Sequence, residues 1–299
     1  MKIMAVLNRN GGTLATMDID AFSASIAERF GKAGHEIDVQ VVPGEQISDA
    51  LHKAAGESGT DAVLVGGGDG TVSLAASVLV RSGKVLAILP AGTMNLFARS
   101  LQIPLDLDEA VEALAQGTIR QVDLPTANGE PFVHQLSIGM HPQLIHLRSR
   151  LSFRGRLGKT FASARAALTT FLRPHHLRVR IEMGDEEILV TTSGIAVTNN
   201  LYGEGHLPYT DTPDNGLLGL YLTRTRRRWD LVVFFANMAI GRWRRNEQVD
   251  IHQTREARIF ILDPHPRHKL AMDGELHPLP DQIHLRQHPK ALSVLVPVA

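Results

Sequence analysis

Short apolar runs and helix-like segments alternate along the first 125 residues, and this alternation limits the folds open to the chain. The runs that indicate strands cover residues 3–7, 37–42, 62–65, 85–89 and 119–124. Apolar residues at helical spacing lie over residues 19–30, 47–55, 72–80 and 108–115. Asp108 is the expected cap of the last helix. This order predicts a parallel sheet covered by helices on both faces, and we expect a three-layer α/β domain over residues 1–125.

Glycine-containing loops follow three of these strands, directly after Leu7, Val65 and Leu89. The carboxyl ends of parallel strands share one edge of a sheet, and ligands bind outside that edge. We therefore expect the three loops to meet at one crevice.

The pattern changes after residue 125. Strands are predicted at residues 132–138, 177–182, 188–197, 217–222, 257–262, 283–285 and 292–296. Only two good helices interrupt them, over about 158–172 and 229–240. This pattern predicts a second, β-rich domain over residues 126–299, built as a sandwich or rolled sheet. Its last strand could return to the first domain.

The segment from Gly66 to Thr71, Gly-Gly-Gly-Asp-Gly-Thr, carries the strongest chemical signal. It joins an apolar strand to a helix, and glycines there let the backbone approach a phosphate group. Asp69 is unusual in an anion site, because a carboxylate repels phosphate unless Mg²⁺ or a substrate hydroxyl lies between them. The alternative is a tight turn with Asp69 as a helix cap.

Two further segments contain polar residues that suit phosphoryl transfer. Thr93 and Asn95 follow the strand at 85–89 and could bind a nucleotide, although turn chemistry alone explains them. Asp273 and Glu275 flank a glycine and could deprotonate a hydroxyl or hold Mg²⁺. Taken alone, that segment is better explained as a β-turn.

Several other site types are excluded by the sequence. The dinucleotide fingerprint would need glycine at Thr71, and a Walker A loop ending at Lys159 would need glycine at Phe153. The chain has no cysteine, which rules out disulfides and thiolate chemistry. Its 14 histidines lack metal-site spacing.

The glycine-rich and acidic segments, taken in order, resemble the diacylglycerol kinase catalytic-domain family, which includes bacterial lipid kinases and sphingosine kinases. The resemblance rests on Asn8–Gly12, Gly67–Thr71, Pro90–Asn95 and Asp273–Glu275 and spans nearly the whole chain. It implies that ATP binds between the two domains, with Asp69 organising Mg²⁺ and Asp273 or Glu275 as the base. The implied nucleotide contacts are Asn8, Arg9, Asn10, Gly11, Gly12, Gly67, Gly68, Asp69, Gly70, Thr71, Val72, Ser73, Thr93 and Asn95.

The resemblance also implies a second, structural Mg²⁺, bound by Thr212, Asn215 and Leu217. Asn215 stands where the family carries aspartate, and an amide oxygen is a weaker ligand for a hard cation than a carboxylate. Ser73 and Leu96 likewise replace asparagine and aspartate that are frequent in the family.

The charge distribution suggests a membrane surface as partner. No acidic residue occurs from Pro131 to Ile181, where apolar residues are interleaved with nine basic ones: Arg148, Arg150, Arg154, Arg156, Lys159, Arg165, Arg173, Arg178 and Arg180. Two more basic clusters, at 224–228 and 242–245, lie beside Trp229 and Trp243. Such a surface suits an anionic leaflet, although a solvated basic face is the alternative.

We expect a cytoplasmic lipid kinase that contacts the inner membrane face without crossing it. Nucleic acid is not an expected partner, because the net charge is zero and no recognition motif occurs. Two other functions stay open: a non-catalytic nucleotide- or lipid-sensing module, and a small-molecule kinase similar to NAD kinases.

Overall fold

A computed structural model describes residues 1–140, 176–224, 246–264 and 268–298, together with the single positions 142, 230, 237 and 241. Its N-terminal sheet has the strand order β2-β1-β3-β4-β18-β5, with strands numbered along the chain. These strands are β1 (Lys2–Asn8), β2 (Glu36–Val42), β3 (Ala62–Gly67), β4 (Val85–Pro90), β5 (Thr118–Val122) and β18 (Leu292–Val296). β1 to β4 are parallel to one another, as the alternating pattern predicted.

Five α-helices accompany this sheet in the part of the chain that the structure describes. They are α1 (Ile19–Lys32), α2 (Ile47–Gly56), α3 (Asp69–Ser82), α4 (Leu96–Ser100) and α5 (Leu107–Ala115). The apolar faces of α1, α2, α3 and α5 join the sheet in one buried core. The predicted cap at Asp108 is wrong: Asp106 accepts the main-chain N–H groups of Asp108 and Glu109, and the helix begins at Leu107.

Two antiparallel sheets form the second domain. One has the order β10-β9-β14-β17-β6-β7 and the other the order β13-β12-β11-β8-β15-β16. Their strands are β6 (Thr126–Ala127), β7 (Glu130–Pro131), β8 (Gln135–Gly139), β9 (Leu177–Met183), β10 (Glu186–Thr192), β11 (Gly194–Asn199), β12 (Leu218–Thr223), β13 (Val249–Thr254), β14 (Glu256–Ile261), β15 (Lys269–Met272), β16 (Glu275–Pro278) and β17 (Gln282–Arg286). Apolar side chains of both sheets share one core, so the fold class is confirmed as an α/β domain followed by a β-sandwich-like domain.

The single strand predicted over 188–197 is wrong. The strand is interrupted at Ser193, so that β10 lies in one sheet of the sandwich and β11 in the other. At this corner a Cβ atom on Gly139 would lie 2.4 Å from the carbonyl oxygen of Ser193, which explains a glycine in the left-handed region there. The apolar residues on either side of this corner do not reveal it in the sequence, because both strands face the same core.

The final strand lies in the first domain. β18 lies between β4 and β5, and the side chains of Val294 and Leu295 are fully buried. The chain therefore crosses between the domains twice, once after β5 and once before β18.

The predicted helix at 158–172, the predicted helix at 229–240 apart from positions 230 and 237, and most of the basic residues expected to face a membrane lie outside the described residues. Within the described ranges, no helix is long and apolar enough to span a membrane.

Candidate active site

The three glycine loops lie against one another at the carboxyl edge of β1, β3 and β4. The carbonyl oxygen of Ala91 accepts the N–H group of Thr13 at 2.9 Å, and the N–H group of Ala91 bonds to Gly67 O at 3.0 Å. A Cβ atom on Gly92 would lie 2.6 Å from the Cα atom of Gly68. Some of these glycines therefore allow backbone to pack on backbone.

The start of α3 provides an anion-binding position. The helix begins at Asp69, and its cap residue Gly68 has no side chain to accept the first N–H groups. The first N–H groups of a helix have no partner within it and carry partial positive charge. Gly70 is exposed, and the space over it is open except for one carboxylate, that of Glu275. A phosphate group can therefore approach this helix end.

Asp69 ties two of the loops together. Its carboxylate accepts the main-chain N–H groups of Asn95 at 3.0 Å and Leu96 at 2.7 Å, at the start of α4. Asp69 thus supports a neighbouring helix rather than capping its own. Each carboxylate oxygen has accepted one N–H group, so a lone pair stays available on each.

Asn95 fills the loop in which it lies. Its side-chain oxygen accepts the N–H group of Gly92, and its amide group donates to the carbonyl oxygens of Pro90 and Gly92. Asn95 is buried and in the left-handed region at φ 50°. Its side chain therefore shapes the loop, is buried away from a nucleotide and has used both amide hydrogens, whereas Thr93 is exposed.

The first loop is held by asparagine side chains. The side-chain oxygen of Asn8 accepts the N–H group of Asn10. The side-chain oxygen of Asn10 in turn accepts the N–H group of Gly44. The amide group of Asn8 also lies 3.4 Å from the hydroxyl group of Thr71 on α3. Arg9 and Gly12 are exposed, and Gly11 lies partly exposed between them and the second loop.

Two residues predicted to contact the nucleotide have other partners. Val72 is buried in the core, and its N–H group bonds to Gly68 O. The hydroxyl group of Ser73 donates to Asp273 Oδ2 at 2.6 Å. That bond joins the two domains directly.

Asp273 is saturated with hydrogen bonds. Besides the Ser73 hydroxyl, its carboxylate accepts three main-chain N–H groups at 2.8–3.0 Å, from Val133, His134 and Gln135. Burial raises the pKa of Asp273, and these four donors oppose that rise. A carboxylate with four donors has no lone pair left to take a proton from a substrate.

Glu275 is exposed beside the helix end. Asp273 and Gly274, at φ 46° and 90°, form the tight turn between β15 and β16, which aligns Glu275 with Met272. A Cβ atom placed on Gly70 would lie 3.8 Å from Glu275 Oε1. The same turn thus directs one carboxylate to four hydrogen-bond donors and presents the other to α3, and the expectation of a β-turn here is also met.

In the loop predicted to bind a structural cation, Leu217 O and the Asp214 carboxylate already have partners. The carbonyl oxygen of Leu217 accepts the N–H group of Asn200 and the side-chain amide of Gln287, each at 3.2 Å. Thr212 and Asn215 are exposed, and Asp214 pairs with Arg120 at 2.8 Å. The described residues contain no group of three or more His, Asp or Glu side chains that could hold a metal ion.

Sequence reasoning missed the support around Asp273. Tyr202 donates its hydroxyl group to Gln135 and stacks on His134 and Tyr221. Burial raises the pKa of Tyr202 well above its usual value, and the neighbouring Tyr221 and Asp273 add to this rise. None of these residues lies in a motif, so only their position in the sandwich reveals them.

Comparisons with known proteins agree with this geometry. Residues 2–127 match the family model described as diacylglycerol kinase catalytic domain, and residues 143–296 match the YegS C-terminal NAD kinase beta sandwich-like domain. A diacylglycerol kinase of Mycobacterium tuberculosis is 30% identical over 275 residues, which is 87% of this chain and 85% of that protein.

Other relatives extend the comparison. An uncharacterized protein of Synechocystis sp. is 25% identical over 85% of this chain, which spans 59% of its length. A crystal structure of a diacylglycerol kinase from Bacillus anthracis is 18% identical and superposes with a TM-score of 0.72 over 99% of this chain and 96% of that one. At that identity the match shows the fold alone.

Proposed function

Because the chain belongs to the diacylglycerol kinase family, we propose that it transfers the γ-phosphoryl group of ATP to a hydroxyl group of a lipid. The observation that carries this proposal is the exposed carboxylate of Glu275, 3.8 Å from a Cβ position on Gly70 at the open end of α3. An exposed carboxylate and an open helix end at one point between the two domains support this proposal.

The proposed reaction is direct transfer. The lipid oxygen attacks the γ-phosphorus, the bond from that phosphorus to the β–γ bridging oxygen breaks, and ADP leaves. Glu275 takes the proton of the lipid hydroxyl, because Asp273 has no free lone pair. The N–H groups at the start of α3 hold phosphate oxygens, since such catalysis consists mainly of positioning and charge stabilisation.

The residues present also suit Mg²⁺ brought in with ATP. Mg²⁺ usually keeps several waters and binds one or two carboxylates together with substrate phosphates. Asp69 retains a lone pair on each oxygen, so its carboxylate would face the cation. Bound there, it would neutralise part of the phosphate charge.

A lipid acceptor in a membrane surface is part of the proposal. It is supported by the family and by the basic, apolar segments of the sequence, most of which lie outside the described residues. Diacylglycerol is the acceptor suggested by the relatives' names.

Glu275→Gln tests the assignment. We expect turnover of lipid with Mg²⁺-ATP to fall by roughly 10²–10⁴-fold, because a positioned general base contributes about that much. The Tm and the Kd for ATP should stay unchanged, since the side chain is exposed and the replacement keeps its shape. The measurement is transfer of labelled phosphate to vesicles containing diacylglycerol. Glu204→Gln, an exposed carboxylate outside this hairpin, is the control.

The outcomes separate the alternatives. Full activity of Glu275→Gln would remove Glu275 as the base. Binding of ATP and vesicles by the wild-type protein without any phosphorylated lipid would favour a sensing module. Phosphorylation of NAD or of a sugar phosphate instead of lipid would favour a small-molecule kinase.

A further inference from the structure

A buried carboxylate lies where the chain passes between the two domains. Asp123 follows β5 directly and is completely buried. No Lys, Arg or His ion pair with it occurs among the described residues. Burying an ionised carboxylate is costly unless hydrogen bonds or a cation compensate, so this residue requires an explanation.

Neutral donors surround Asp123 on both oxygens. Oδ2 accepts the N–H group of Gly216 at 2.5 Å and the side-chain amide of Asn200 at 3.2 Å. Oδ1 accepts the N–H group of Lys290 at 2.9 Å. Three segments distant in sequence therefore converge on one side chain.

The main chain of Asp123 makes further bonds to the same segments. Its N–H group donates to Pro213 O at 2.9 Å, and its carbonyl oxygen accepts the side-chain amide of Asn199 at 2.9 Å. The side-chain oxygen of Asn199 accepts the amide group of Gln287, which also reaches Leu217 O. We call this set, Asp123 with Asn199, Asn200, Gly216, Gln287 and Lys290, the junction network.

The backbone at the junction network is held in unfavourable conformations. Asn200 and Lys290 lie in the left-handed region, at φ 64° and 55°. Lysine adopts that region at a cost of roughly 1 kcal/mol, whereas asparagine tolerates it. The bond from Lys290 N–H to Asp123 holds the left-handed turn that leads into β18.

Most lone pairs of the buried oxygen atoms that a cation would need here already accept N–H groups. Leu217 O has two amide donors, the Asp123 carboxylate has three N–H donors, and Asp214 pairs with Arg120 outside it. Asn215 offers only an amide oxygen, on an exposed side chain. N–H donors compete with a cation for the same lone pairs, so a structural Mg²⁺ does not fit this loop.

We propose that the junction network replaces a structural cation in this chain, with Asp123 holding the two crossings between the domains by hydrogen bonds alone. Gly216 and Asn200 supply the positive ends of N–H dipoles where a cation would otherwise neutralise the carboxylate. Asp123 is thus a positioning residue for the junction, and its role is independent of the kinase reaction.

Thermal unfolding without nucleotide tests the proposal. The full-length protein is unfolded in excess EDTA, in excess Mg²⁺ and in excess Ca²⁺, and its metal content after EDTA treatment is measured by elemental analysis. We expect the same Tm in all three conditions and less than stoichiometric metal. A Tm lower in EDTA by about 5 °C or more, or one retained Mg²⁺ or Ca²⁺ per chain, would overturn the proposal.

Two matched variants complete the test. Asp123→Asn places an amide group against N–H donors and should lower Tm by about 4–10 °C. Asp214→Asn lies in the same loop but breaks only the partly exposed pair with Arg120, and should change Tm by less than about 2 °C. Equal shifts in the two variants would contradict the role of Asp123. Asn215→Asp should remain insensitive to Mg²⁺, and a gain of Mg²⁺-dependent stability there would show that the oxygen atoms are available after all.

Discussion

Two acidic residues of one hairpin turn differ completely in their surroundings. Asp273 accepts four hydrogen bonds and joins α3 to the start of β8. Glu275, two residues later, is exposed beside the first residues of α3. The difference arises because the N–H groups of residues 133–135 and the Ser73 hydroxyl group reach only Asp273, while the turn places Glu275 beside Gly70. A carboxylate with that many donors fixes geometry rather than moving protons.

Asp273→Asn should therefore act through stability. The amide group would face N–H donors, and each hydrogen bond lost from a charged acceptor costs about 1.5–3 kcal/mol. We expect the free energy of unfolding, measured with urea, to fall by at least that amount, in contrast to Glu275→Gln. If Asp273→Asn keeps wild-type stability and loses only turnover, Asp273 acts in the chemistry and its purely structural role is wrong.

At the scale of elements, the glycine loops serve two purposes. Gly12 and Gly92 have no room for a Cβ atom, because the carbonyl oxygen of Ala91 or the backbone of Gly68 lies within 3 Å of its position. Gly70 faces open space and leaves the end of α3 accessible. The loops are therefore packed on one another first, and the helix end they leave uncovered is the binding position.

Gly92→Ala should separate these loops. Its Cβ atom would lie 2.6 Å from Gly68 Cα and 2.8 Å from Asn95 Oδ1, so the second and third loops must move apart. We expect kcat/KM for ATP to fall roughly 10–100-fold, since small misplacements of bound substrate cost about that much.

Gly31→Ala is the matched control, because nothing lies within 4 Å of its Cβ position on α1. It should raise the free energy of unfolding by about 0.5–1 kcal/mol and leave kinetics unchanged. Equal kinetics in the two variants would show that the contact between Gly68 and Gly92 does not set the site.

At the scale of the whole molecule, cleaving the chain at one position cannot separate the two domains. β18 comes from the end of the chain, lies between β4 and β5, and pairs with β5 from Leu292↔Val122 to Val296↔Thr118. The active-site hairpin is also fixed to the first domain through Ser73. Folding of the N-terminal sheet therefore depends on the last residues of the chain.

A fragment of residues 1–127 should fail to fold by itself. Without β18, β5 has no neighbouring strand and one edge of β4 is exposed, together with the core that Val294 and Leu295 cover. We expect circular dichroism in a urea titration to show no cooperative transition for the fragment, in contrast to the full chain. A sharp transition in the fragment would mean that the four parallel strands suffice.

The sequence by itself determined the elements and the family. The spacing of apolar residues along the chain predicted β1 to β4 and their helices. The three glycine loops predicted a shared crevice, because parallel strands end at the same edge of a sheet. The order of four short motifs indicated a diacylglycerol kinase-like chain, which the family models confirm. These features are local in the chain, or follow from a simple rule of sheet geometry.

Only the tertiary structure decided which side chains are free to react. Ser73 and Asp273 are 200 residues apart, and Asp123 meets Lys290 across 167. Whether a carboxylate acts as a base, as a structural hydrogen-bond acceptor or as a cation ligand depends on which N–H groups occupy its lone pairs. Those donors come from distant segments that no local pattern brings together.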